Sequence, residues 1–177
     1  MAKTKWVLDN FHSELGFKIK HLMISNISGS FQNFQVEAET DTDDFNTGKI
    51  RATAETASIS TNNEQRDAHL RNSDFFEVEK YPELKFQSTK VEKIDDDTFS
   101  LYGDLTLKGI TKPIKLNVEH SGLIKDHLGR EKAGFTVTGK IKRTDFGVNF
   151  GGLTEAGGLA LGEEVKLNSE IQLVKQA

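Results

Sequence analysis

The segments Leu101-Tyr102-Gly103-Asp104-Leu105-Thr106-Leu107 and Ile114-Lys115-Leu116-Asn117-Val118-Glu119-His120 decide the fold. In the first, Leu101, Gly103, Leu105 and Leu107 fall on one face; in the second, Ile114, Leu116, Val118 and His120 do. A repeat of two sends neighbouring side chains to opposite sides of a pleated strand, so both read as strands with one dry face and one wet face. Working outward, the pattern recurs at Leu15-Phe17-Ile19-His21-Met23, Phe34-Val36-Ala38, Ile50-Ala52-Ala54 and Leu84-Phe86. It recurs again at Phe135-Val137-Gly139-Ile141 and Val165-Leu167-Ser169-Ile171-Leu173. With a first strand near Trp6, this predicts roughly eight or nine strands. Ser28-Gly29, Thr47-Gly48, Asp95-Asp96-Asp97 and His127-Leu128-Gly129-Arg130 carry turn chemistry between periodic runs. Closely spaced strands of this kind predict antiparallel hairpins in a closed or nearly closed sheet.

Two stretches depart from the alternation. Residues 62–72 are rich in Glu, Gln, Arg, Ala and Leu, which favour a short helix, with Asn62 or Asn63 as its cap. Residues 147–162 are rich in glycine and read as a loop with one helical turn. No boundary or repeat divides the 177 residues, so residues 1–177 are expected to form one domain.

Composition narrows the function. A net charge of -4 gives no electrostatic case for nucleic acid. The absence of cysteine excludes disulfides, thiolate nucleophiles and cysteine metal sites. No apolar run is long enough to span a bilayer as a helix. Nothing before Trp6 resembles a signal peptide, so a cytoplasmic address in a bacterial-type cell is expected, with a periplasmic one the alternative if a leader was removed.

The dry faces mix large residues (Phe17, Phe34, Phe86, Phe135) with small ones (Ala52, Ala54, Gly103, Gly139). Missing bulk inside a small barrel leaves room for a guest. The expected cavity liners are Phe17, Ile19, Phe34, Phe86, Leu105, Leu116, Phe135, Val137 and Leu167. His21 shares the dry face of its strand and is a candidate to meet the polar end of a ligand. On a helix, Arg66 would share a face with Leu70, and Asp67 would pair with Arg71. Arg66, His69 and Arg143 are the candidates for head-group contact at the barrel mouth.

Catalytic signals are poor. His12 and Ser13 are adjacent, so on a strand they face opposite ways, and a structural role is expected for both. No Gly-x-Ser-x-Gly elbow, P-loop or close histidine pair occurs, and no catalytic residue, cofactor or metal is expected.

Taken in order, the motifs resemble the YceI-like family, also called polyisoprenoid-binding proteins. The opening set is Trp6-x-x-Asp9, His12-Ser13, Phe17, Lys20-His21-Leu22 and Gly29-x-Phe31. Next come Ser58-Ile59-x-Thr61, Arg66-Asp67-x-His69-Leu70-Arg71, Asp74-Phe75-Phe76, Tyr81-Pro82 and Phe86-x-Ser88. The last are Gly103-x-Leu105-Thr106-Leu107-x-Gly109-x-Thr111-Lys112-Pro113 and Arg143-x-Asp145-Phe146-Gly147. The resemblance runs from Trp6 to about Leu173. It implies an all-β, lipocalin-like barrel of eight antiparallel strands whose elongated apolar cavity takes a polyisoprenoid, quinone-like or fatty-acid-like molecule. It also implies a homodimer. The expected function is non-catalytic storage, sequestration or transport of such a molecule. The alternatives are a small barrel enzyme using His21 and His120 on an apolar substrate, and a stress-linked interaction protein working through its outer face.

Overall fold

The computed structural model describes residues 3–21, 25–148 and 161–176, and in it the alternating segments form strands. These are β1 (Lys3–Leu8), β2 (Glu14–His21), β3 (Ser25–Phe31), β4 (Phe34–Asp41), β5 (Asp44–Glu55) and β6 (Ile59–Ser60). They continue with β7 (Glu83–Lys93), β8 (Thr98–Leu107), β9 (Ile110–Lys125), β10 (Glu131–Lys142) and β11 (Leu161–Lys175). Between β6 and β7 lies one helix, α1 (Glu64–Arg71). Asn63 caps it, its side chain accepting the Arg66 backbone N–H at 3.0 Å.

These segments make eight paths around a closed barrel. β1 and β2 lie end to end along β11, with Trp6 opposite Lys175 and Phe17 opposite Leu167. β3 and β4 run back along them, and β5 and β6 form the third path. From β7 to β11 each strand is a path of its own, and the β1–β11 pairing closes the ring. Every pairing is antiparallel. The breaks at 9–13, 32–33 and 56–58 let three paths bend around the small circumference, which is why segments outnumber paths.

Two expected turns are strand interior instead. Ser28-Gly29 lies within β3, because Gly29 makes room for the Phe17 ring: a Cβ there would sit 2.5 Å from Phe17 Cζ. Thr47-Gly48 lies within β5, and the chain reverses at Thr42-Asp43. The Thr47 hydroxyl instead accepts the Asp41 N–H at 2.7 Å and donates to the Asp44 carbonyl at 2.6 Å, bracing that reversal. Lys108 and Gly109 both have positive φ, 53° and 75°, the conformation that a two-residue hairpin between β8 and β9 requires. Most of the expected glycine-rich loop, residues 149–160, lies outside the described residues.

Because successive strands reverse direction, connections fall at alternate ends. Thr42-Asp43, Ile94–Asp97 and Asp126–Arg130 share one end. The segment containing α1, the Lys108-Gly109 turn and a 3-10 turn at Arg143–Phe146 share the other. At the first end, aromatic rings pack across the interior. Trp6 is 1% exposed, donates its indole N–H to Thr40 Oγ1 at 3.1 Å and lies 4.9 Å from the Phe45 ring. Phe45 in turn meets Phe135 at 4.9 Å and His120 at 5.2 Å, and His120 stacks on Phe135 at 4.9 Å.

Lys132 alternates with the inward-facing Ala133 and Phe135, yet it is 5% exposed. Its ammonium meets Asp9 at 2.5 Å and Asp126 at 3.6 Å, and Asp9 also accepts from His12 Nδ1 at 2.8 Å. Burial pushes the Asp9 carboxyl up, but hydrogen bonds from Lys132 and His12 outweigh it and hold the group at about 2. Ser13 Oγ accepts the Gln172 N–H at 2.9 Å. Asp9 and Ser13 therefore fasten the break between β1 and β2 to β10 and β11, and His12 braces Asp9 from within the break.

Candidate functional site

Inside the barrel is a cavity of about 530 Å³, within the roughly 300–1,000 Å³ of ordinary small-molecule sites. Strands from all around the ring contribute alternate residues to its wall, from Phe17 and Ile19 on β2 to Leu167 and Ile171 on β11. It reaches the end that carries α1, where Leu70, Phe75 and Phe76 join the lining. A line of aromatic contacts runs along this part of the wall: Phe17 to Phe31 at 5.8 Å, and Phe31 to Phe76 at 5.7 Å.

Of the expected liners, Phe17, Ile19, Phe86, Leu105, Leu116, Phe135, Val137 and Leu167 stand in the wall. Phe34 does not. It is 7% exposed, sits opposite Ala54 and belongs to the packed core. Both residues adjoin breaks in their strands, where the change of direction takes them out of the cavity surface. The side chain of His21 lies outside the described residues; its backbone pairs with Ser25. His120 is absent from the wall, packed against both Phe45 and Phe135 with its Nε2 buried and unpartnered.

The small residues act differently from the expectation. A Cβ on Gly103 would sit 2.4 Å from Phe86 Cζ, and one on Gly139 would sit 2.7 Å from Leu116 Cδ2. The missing atoms are replaced by neighbouring side chains lying flat across the backbone. The chamber opens because those rings and branches are drawn against the wall.

Arg66, His69 and Arg143 all line the cavity. The Arg66 guanidinium donates from Nε to Thr61 Oγ1 and from Nη2 to the Thr61 carbonyl, each at 2.7 Å. Asp67 does not pair with Arg71 as expected. It is buried, and its Oδ1 accepts the Thr61 hydroxyl at 2.5 Å and the Thr61 N–H at 2.8 Å. Arg71 meets Glu64 instead, at 3.4 Å. His69 Nε2 lies 2.8 Å from Asp74 Oδ2, and its ring meets Phe75 edge-on. Arg143 is 5% exposed and donates to the carbonyls of Gly162 and Val148, each at 2.8 Å. Burial lowers its pKa, with the Glu163 charge acting the other way. Among the described residues, the wall contains no Asp, Glu or Lys.

Sequence reasoning missed Phe31, Phe45, Phe75, Phe76 and Thr61 as wall residues. Phe75 and Phe76 follow α1 outside any periodic run, and Phe31 and Phe45 sit at strand ends, so alternation gives no signal for them.

The model of the YceI-like domain matches residues 6–173. A UPF0312 protein of Staphylococcus aureus strain N315 is 40% identical over 170 residues, covering 96% of each chain. The structure resembles the YCEI protein of Campylobacter jejuni, with a TM-score of 0.77 and 37% identity over 96% of this chain and 97% of that one. A polyisoprenoid binding domain from Saccharophagus degradans, implicated in plant cell wall breakdown, shares the fold. Its TM-score is 0.67 at 16% identity, over 97% of this chain and 98% of that one.

Proposed function

The chain belongs to the YceI-like family, and from that membership and the form of its interior we propose that it holds one long apolar molecule and does not alter it chemically. The cavity of about 530 Å³ carries the reading, because an apolar wall of this size offers a tail more than it offers a reaction. A polyisoprenoid is the guest suggested by the S. degradans domain; a quinone-like or fatty-acid-like molecule presents the same kind of tail. Each methylene moved from water into the wall contributes about 0.8 kcal/mol before the cost of ordering the tail. A few isoprene units suffice for useful affinity, and the protein would store, sequester or carry its guest.

Native mass spectrometry of protein purified from its own host tests this. A lipid adduct, or stoichiometric uptake of added prenyl or acyl lipids, is the expected result. An empty protein that takes up none of them would overturn the proposal. The homodimer and cytoplasmic address belong to the same proposal; light scattering checks the first and cell fractionation the second.

A further inference from the structure

We infer that the guest bears an anionic head, a phosphate monoester or carboxylate, and that Arg66 receives it. The inference rests on the reading that an amphiphile fills the barrel. Arg51, Arg71 and Arg130 each meet a carboxylate, at Glu37, Glu64 and Asp126. Arg66 meets none among the described residues, although it is half-buried and lines the cavity. The acid beside it in sequence, Asp67, makes no ion pair with it: its Oδ1 is taken up by Thr61, whose hydroxyl stands between the two side chains.

The result is a directed cation. Arg66 Nε–H donates to Thr61 Oγ1, whose own hydrogen goes to Asp67 Oδ1, so one edge of the guanidinium is fixed. The other edge keeps donors for a planar or tetrahedral oxyanion, the geometry guanidinium binds best. A cation in a wall without carboxylates is costly unless something supplies the opposite charge. In a protein of net charge -4, that charge is absent from the described wall, and an incoming head supplies it. Asp67 stands behind Thr61 and outside the wall, so a neutral phenol or alcohol would leave the free edge of the guanidinium without an anionic partner.

Competition uptake by the full chain, read by native mass spectrometry, tests this with lipids matched in tail. One arm is geranylgeranyl phosphate against geranylgeraniol; the other is oleate against oleyl alcohol. At least one anion should be preferred about tenfold, the value of a charge-assisted hydrogen bond. The arm showing the preference separates phosphate from carboxylate. Arg66→Gln should abolish the preference by lowering uptake of the anion to that of its matched alcohol, Arg66→Lys should retain most of it, and Arg71→Gln should not affect it. If both alcohols bind as well as their anions, or if a folded Arg66→Gln protein keeps the preference, the inference falls and the lipid-binding reading stands. If nothing binds, both fall. Should Arg66→Gln fail to fold, the wild-type and Arg66→Lys preferences decide the matter.

Discussion

At the scale of single residues, the interior depends on where atoms are absent. Gly103 faces the Phe86 ring at 2.4 Å and the immovable Gln87 carbonyl at 2.6 Å, measured from an added Cβ. Gly103→Val should therefore lower stability by about 1–3 kcal/mol, the usual cost of overpacking. Urea denaturation checks it as a lower midpoint at unchanged slope. The same reasoning shows what alternation could not reveal. Reading Gly103 and Gly139 as gaps predicts a chamber in the right place for the wrong reason, because a strand pattern names a face and not which neighbour folds over it. Asp9 provides a second residue-scale test. Its carboxyl is held at about 2 against an ordinary 3.8, so the folded state binds its proton more weakly than the unfolded chain. Stability is then fully present above the ordinary value and is lost as pH falls toward about 2, a contribution of about 2 kcal/mol. Lys132→Ala removes the main partner and should cost about 3 kcal/mol at neutral pH. It should also flatten this limb of the stability–pH curve, measured by urea midpoints at each pH.

At the scale of elements, α1 is short, polar and held through its N-terminal half. Asn63 caps its N-terminus and Asp67 ties it to Thr61 beside β6. Asn63→Ala should cost about 1 kcal/mol, with amide hydrogen exchange accelerated first within residues 64–71. The helix and its cap were legible in sequence because they rest on local chemistry. The pairing of Asp67 with Thr61 was not, because it depends on how the chain enters α1 from β6. Strand existence was legible for the same reason as the helix. Strand ends were not: Ser28-Gly29 and Thr47-Gly48 have turn composition, yet Ser28 and Gly29 pair with Lys18 and Phe17 of β2, and Thr47 and Gly48 lie within β5. Phe34 illustrates the limit for the site, since its periodicity is correct and only the break at 32–33 removes it from the wall.

At the scale of the whole molecule, acid should loosen the barrel in two stages. Burial lowers the pKa of His120 below its ordinary 6.5, opposed by the Gly122 backbone and the Asp97 charge. The folded state therefore binds this proton more weakly than the unfolded chain, and stability falls as pH drops below about 6.5. The Asp9 limb follows at lower pH. His120→Phe, which can keep the stack on Phe135, should remove the upper limb and leave the lower one, as read by melting temperature across pH. A filled cavity should raise the melting temperature throughout, by mass action on the folded state. Trp6 gives this architecture a practical consequence. It is the one tryptophan of the chain, and it packs against Phe45, a wall residue at the end opposite α1. The barrel thus carries its own optical gauge: indole fluorescence should respond to tails long enough to reach the bottom and stay silent for short ones, turning emission colour into a measure of chain length.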